Sequence, residues 1–155
     1  MTAVDATAAF REWLAAELRR EGDEAAVSVL GAMAGADWTV RHCVTNRSYY
    51  EVRFREAAGE LEVGFGTEHR MVNEGIEEWV LENGGDLSEL LGDELCELGV
   101  EPEPMEHFWD RPTFRYVVRA RVDVPEALAS DTLRRRTLAI LRACRILFQD
   151  AVEEA

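Results

Sequence analysis

The residues in this chain best equipped for chemistry are its arginines. All 17 basic residues are Arg and none is Lys, so a Schiff-base lysine, a P-loop lysine and a lysine general base are excluded at once. Two alternating stretches place Arg53, Arg55, Arg115, Arg119 and Arg121 opposite the apolar residues, with Arg41 beside them. A planar guanidinium makes bidentate contacts to carboxylates, so such a stripe suits an acidic peptide or the carboxylates of a partner protein. The alternative is cross-strand pairing with Glu51, Glu60 and Glu62, worth a few tenths to about 1 kcal/mol per pair.

The ingredients for a metal or nucleophilic site are His42, His69 and His107 with Cys43 and Glu106. They fall on three separate stretches and show neither HExxH nor paired CxxC spacing. No metal, cofactor or catalytic residue is therefore expected. His42 alternates with Val40 and Val44, which suits a satisfied, semi-buried imidazole. Gly64-Phe65-Gly66 lacks the third glycine and the strand-turn-helix setting of a phosphate loop. Carboxylate pairs such as Glu77 with Glu78, or Glu101 with Glu103, are read as solvated faces.

Trp79, Met105, Phe108 and Trp109 are large apolar residues near turns or helix ends. They either complete the core or cover an interface. An edge strand at Met105 to Trp109 would pair with a second subunit or a client strand. Arg134, Arg135, Arg136, Arg142 and Arg145 lie behind an apolar helical stripe. They form either a solvated face or a surface that meets the acidic middle helices of a second subunit.

The elements that must position these groups are readable from periodicity. Phe10, Trp13, Leu14 and Leu18 have helical spacing from Asp5; after Gly22 a second helical stripe of Val27, Leu30 and Ala34 runs to Gly35, which predicts a helix kinked near Gly22. Trp38, Val40, His42 and Val44 alternate, as do Tyr50, Val52, Phe54 and then Leu61, Val63, Phe65; turns at Asn46-Arg47-Ser48 and Gly59 make these an antiparallel meander. Val72, Ile76, Trp79 and Val80 predict a helix stopped by Asn83-Gly84-Gly85. Asp86 and Glu89 form a capping box for a helix that turns Leu87, Leu90, Leu91, Leu95 and Leu98 inward until Gly99.

Met105 to Trp109 reads as a short strand, Asp110-Arg111-Pro112 as a turn, and Thr113 to Val122 as the strongest strand of the chain. A further capping box, Asp123 with Glu126, precedes a long amphipathic helix through Leu133, Thr137, Ile140, Leu141, Cys144 and Phe148. The expected class is α+β: helices packed on a twisted antiparallel sheet of about five strands, in the order α-βββ-α(α)-ββ-α, as one domain over 1–155.

Composition narrows the partners. With 31 acidic residues and a net charge of −14, the surface repels nucleic-acid phosphates and anionic lipid, so neither direct nucleic-acid nor membrane binding is expected. Cys43, Cys96 and Cys144 are far apart, with apolar or strand-like flanks. They read as buried reduced thiols of a cytoplasmic protein. No basic-then-apolar targeting signal is visible.

The meander from Trp38 to Phe65, the stretch Pro112-Thr113-Phe114-Arg115-Tyr116-Val117-Val118 leading into Val124-Pro125-Glu126-Ala127-Leu128, and the long final helix together resemble YbjN-like proteins and the related type III secretion chaperones. That resemblance implies helices on one twisted sheet, a homodimer and a protein-binding, non-enzymatic role. With the acidic surface, the expected partner is a basic protein, for example a nucleic-acid-binding or stress-response protein. The alternative is an enzyme or small-ligand sensor with a pocket between sheet and helices, using His42, His107 and arginines.

Overall fold

Thr2 opens the first helix with a complete capping box: its hydroxyl accepts from the Asp5 N–H while the Asp5 carboxylate accepts from the Thr2 N–H. The computed structural model describes residues 2–22, 26–31 and 37–155. Helix α1 spans Ala3–Glu21 and stops at Gly22. An added Cβ there would strike the His42 ring, so this glycine admits the neighbouring strand as it ends the helix.

Beyond Gly22 the expected helical stripe is not helical. Val27–Gly31 is strand β1, paired antiparallel with Trp38–Cys43, strand β2; Ala34 and Gly35 lie outside the described residues. Val27 and Val29 are β-branched, and pairing with β2 supplies backbone partners along the whole segment, which outweighs a two-residue coincidence of helical spacing.

Among the described residues the sheet has six strands where about five were expected, in the order β1-β2-β3-β4-β6-β5 and antiparallel throughout. Strand β3 is Ser48–Arg55, β4 is Glu60–Thr67, β5 is Glu106–Asp110 and β6 is Thr113–Arg121. The β2–β3 turn uses left-handed Asn46 and Arg47, with φ of 56° and 51°, matching the twist of the flanking strands. Between β4 and β5 come helices α2, Arg70–Glu82, and α3, Leu87–Glu97. A 3-10 turn at Pro125–Ala129 leads into helix α4, Asp131–Glu154.

Two expected caps form differently. Asp86 accepts from the Glu89 N–H, the only half of that box present, and the Asp123–Glu126 box is absent. Asp123 instead pairs with Arg121, and Ser130 caps α4 by accepting from the Leu133 N–H. A cap of this kind contributes about 1 kcal/mol.

One face of the sheet carries Trp38, Val40, Tyr50, Val52, Phe54, Leu61, Val63, Phe65, Tyr116 and Val118, all buried in a single core. The helices complete it with Phe10, Leu14 and Leu18 from α1, Ile76 from α2, Leu91 and Leu95 from α3, and Ile140, Cys144 and Phe148 from α4. Phe148 sits 5.0 Å from Phe65 and 5.1 Å from Tyr116, ring centre to ring centre. Leu98, expected inward, is exposed where α3 ends. Cys43 and Cys96 are also exposed, contrary to expectation; Cys43 points from β2 away from the helices, and Cys144 alone is buried. Full burial pushes the Cys144 thiol up to about 12, which keeps it protonated and inert.

Candidate functional site

The other face of the sheet bears no helix among the described residues, yet three of its charged side chains are buried: Glu51, Glu62 and Arg115. The reason lies in β4. Glu51 is opposite Gly64, and Tyr49 is opposite Gly66. The Tyr49 ring lies over Gly66, where any Cβ would collide with it, and the missing side chains leave room for Arg115 to reach inward from β6. Long neighbours then roof the carboxylates.

Arg115 Nη2 donates to Glu51 Oε1 at 2.8 Å, and Arg41 donates to Glu51 Oε2 through Nε and Nη2 at 3.2 and 3.0 Å. Arg53 approaches the same carboxylate at 3.5 Å. Around Glu62 stand Arg55, Arg119 and Arg115 at 3.1, 3.3 and 3.8 Å. These are charge contacts without hydrogen-bond alignment, since neither Glu62 oxygen accepts a bond. Arg119 also pairs with Glu60 and Glu106, and Arg121 turns away to Asp123. The stripe Arg53, Arg55, Arg115, Arg119 is thus interleaved with glutamates, so each of its guanidiniums already stands beside a carboxylate.

Of the large apolar residues singled out by sequence, Met105 is buried, Phe108 is half-buried beneath Arg115 and Arg119, and Trp109 is 57% exposed on the β5 edge, stacked on Phe114. Trp79 is elsewhere: it lines a groove of about 500 Å³ between α2 and the C-terminal half of α4. The floor of this groove is apolar, with Met71 and Ile146 59% and 55% exposed, and Gly75 of α2 faces Ala151 of α4. Its rim is carboxylate: Glu74, Glu78 and Glu82 from α2, Asp150 and Glu154 from α4. Arg70 pairs with Glu74; Glu78, Glu82, Asp150 and Glu154 have no ion pair among the described residues. Sequence reasoning set Glu78 aside as a solvated residue. The signal available was the row Glu74, Glu78, Glu82 running beside Met71, Gly75, Trp79 at four-residue spacing.

Four of the five arginines of α4 have partners within the chain, and Arg135 is exposed. Arg142 pairs with Glu21, Arg136 with Glu103, Arg134 lies over Trp13, and Arg145 donates to His42 Nδ1 at 2.9 Å. His42 is buried on β2, while His107 stands on β5, so the two histidines are not brought together. Among the described residues no group of His, Cys, Asp and Glu is placed to hold a metal ion, and no helix is long and apolar enough to cross a membrane.

His107 belongs to a polar chain. Its ring stacks on Tyr116 at 4.1 Å, and Asn73 Nδ2 donates to Glu77 Oε1 at 3.1 Å. Asn73 Oδ1 therefore accepts from both the Tyr116 hydroxyl, at 2.5 Å, and His107 Nε2, at 3.2 Å. Burial lowers the His107 pKa against the opposing pull of Glu77, so the imidazole is neutral at pH 7 with its proton on Nε2. Burial likewise raises the Tyr116 pKa, keeping the hydroxyl a donor.

No family model matches the chain, and neither a curated protein nor a solved structure matches it.

Proposed function

We propose that this chain is a YbjN-like, non-enzymatic protein-binding module that works in the cytoplasm as a homodimer and holds a basic segment of another protein between α2 and α4. The observation that carries the reading is the chemistry of the groove: an apolar floor flanked on both sides by carboxylates, four of them unpaired among the described residues. Like charges at four-residue spacing cost a helix about 0.2–0.5 kcal/mol per pair, and a cationic partner turns that repulsion into attraction. From Met71 to Glu82, at ~1.5 Å per residue, the groove wall is roughly 16 Å long, three turns of a docked helix. The occupant is accordingly an amphipathic helix with an apolar stripe and flanking Arg or Lys. Proteins that bind nucleic acid are rich in such segments, whereas the net charge of −14 disfavours binding nucleic acid directly.

Strand β1 supports the homodimer. It is an edge strand without a charged residue, and its Val29 and Leu30 are 43% and 46% exposed; the opposite edge, β5, carries Glu106 and Asp110 as guards against pairing. Light scattering of the wild type and Val29→Lys should give a dimer and a monomer.

The groove is tested by calorimetric titration with a basic three-turn amphipathic peptide and its charge-reversed twin. The basic peptide should bind saturably, weaken as salt rises, and lose about tenfold or more in affinity against a Glu78→Arg, Glu82→Arg double variant whose melting curve matches the wild type. Equal binding by the double variant, or binding of the acidic twin, would sink the groove.

A further inference from the structure

A second concavity, of about 510 Å³, opens on the other side of α2, between the C-terminal end of that helix, the start of α3 and strands β5 and β6. This volume lies in the range of small-molecule sites. Its walls are aliphatic, supplied by Val80, Leu81, Leu87 and Met105, with Asp86 and Ser88 at the start of α3 and Glu77, His107 and Tyr116 from α2, β5 and β6. Tyr116, His107 and Glu77 are joined through the buried Asn73 behind them in the chain of hydrogen bonds described above. Buried polar chains of this kind hold their members in one geometry, because each would lose its partner on moving.

The charge of the lining is one-sided. Its ionisable residues other than the neutral His107 and Tyr116 are Glu77 and Asp86, and no Arg is among its lining residues. Glu77 Oε1 is occupied by Asn73, which leaves Oε2 without a partner among the described residues and the side chain half-exposed at the mouth. The last turn of α2 borders the same space, and its Trp79 and Val80 carbonyls already accept from Asn83 and Gly85. The opposing N-terminus of α3 is offset by its own cap, Asp86, which accepts from the Glu89 N–H. Apolar walls and a carboxylate held through one oxygen by Asn73 are the complement of one ligand class.

We infer that this cavity binds a small organic amine, whose ammonium pairs with Glu77 and whose hydrocarbon body lies against Val80, Leu87 and Met105. The site is independent of the α2–α4 groove and stands or falls without it.

The probe is 2-phenylethylamine, titrated into the full chain by NMR with phenylacetate and 2-phenylethanol as its anionic and neutral counterparts. The amine should bind saturably, prefer the cavity over phenylacetate by about tenfold or more, and shift the amide signals of 76–88 and 105–107. Glu77→Gln, on a half-exposed side chain, should keep the melting temperature and lose about tenfold in amine affinity; Glu74→Gln, on the groove rim, should leave it unchanged. Equal affinity for amine and carboxylate, unchanged binding by Glu77→Gln, or no saturable binding at all would overturn the inference.

Discussion

Glu51 and Arg115 illustrate how far a single charge can be committed. Each is buried, and each is the other's closest partner, so removal of the guanidinium leaves Glu51 Oε1 without its hydrogen bond while Arg41 and Arg53 stay beside that carboxylate, and takes from Glu62 the most distant of its three arginines, in a site that water does not reach. Breaking a buried pair by truncating one partner typically costs about 3–5 kcal/mol. Because both carboxylates keep two other arginines, Arg115→Met should cost less than that, lowering stability in urea titrations by about 1–3 kcal/mol. Arg121→Ala, at a fully exposed pair with Asp123, should leave the midpoint where it was. If the two variants unfolded alike, the network would be a surface feature and its burial of no energetic consequence. The pairing of the stripe with Glu51, Glu60 and Glu62 was open to a reader of the sequence, because alternation puts those residues on one face. The burial was not, because it depends on Gly64 and Gly66 being opposite Glu51 and Tyr49, a matter of register.

At the scale of elements, glycines decide how closely neighbours approach. A Cβ on Gly64 would be driven into the Tyr116 carbonyl, backbone that cannot step aside without moving β6. A Cβ on Gly75 would meet Ala151 at 3.5 Å, an ordinary contact. Gly64→Ala should thus cost about 1–3 kcal/mol, as overpacking does, while Gly75→Ala should be neutral or gain up to about 1 kcal/mol from helix propensity. Thermal melts of the two variants check the order, and a reversal would mean that the strands relax more readily than the helix pair. Strands β2, β3, β4 and β6 were legible as alternation because one face of each is core. Strand β1 was not: Val27 and Leu30 fit a helix as well as a strand, and only Trp38–Cys43 beside it decides. Trp79 stood out as a large apolar residue near a helix end, but the groove it lines needs α4, a wall that lies far along the chain.

For the whole molecule the dominant fact is charge. A net −14 spread over 155 residues makes the folded state repel itself, and added salt screens exposed charges while leaving buried pairs such as Glu51 with Arg115 largely intact. The melting temperature should rise between low and moderate sodium chloride; a fall would show that exposed ion pairs outweigh the self-repulsion. The same arrangement leaves α2 as a partition. Ile76 lines the groove on one side and the cavity on the other, so the helix is a wall common to both. Two compartments that share a wall fill independently only while that wall holds still. If a shift of α2 that admits one occupant alters the fit of the other, linkage requires the effect to be reciprocal: each occupant changes the affinity of its neighbour by the same factor. An allosteric coupling here would need no machinery beyond a helix with two faces.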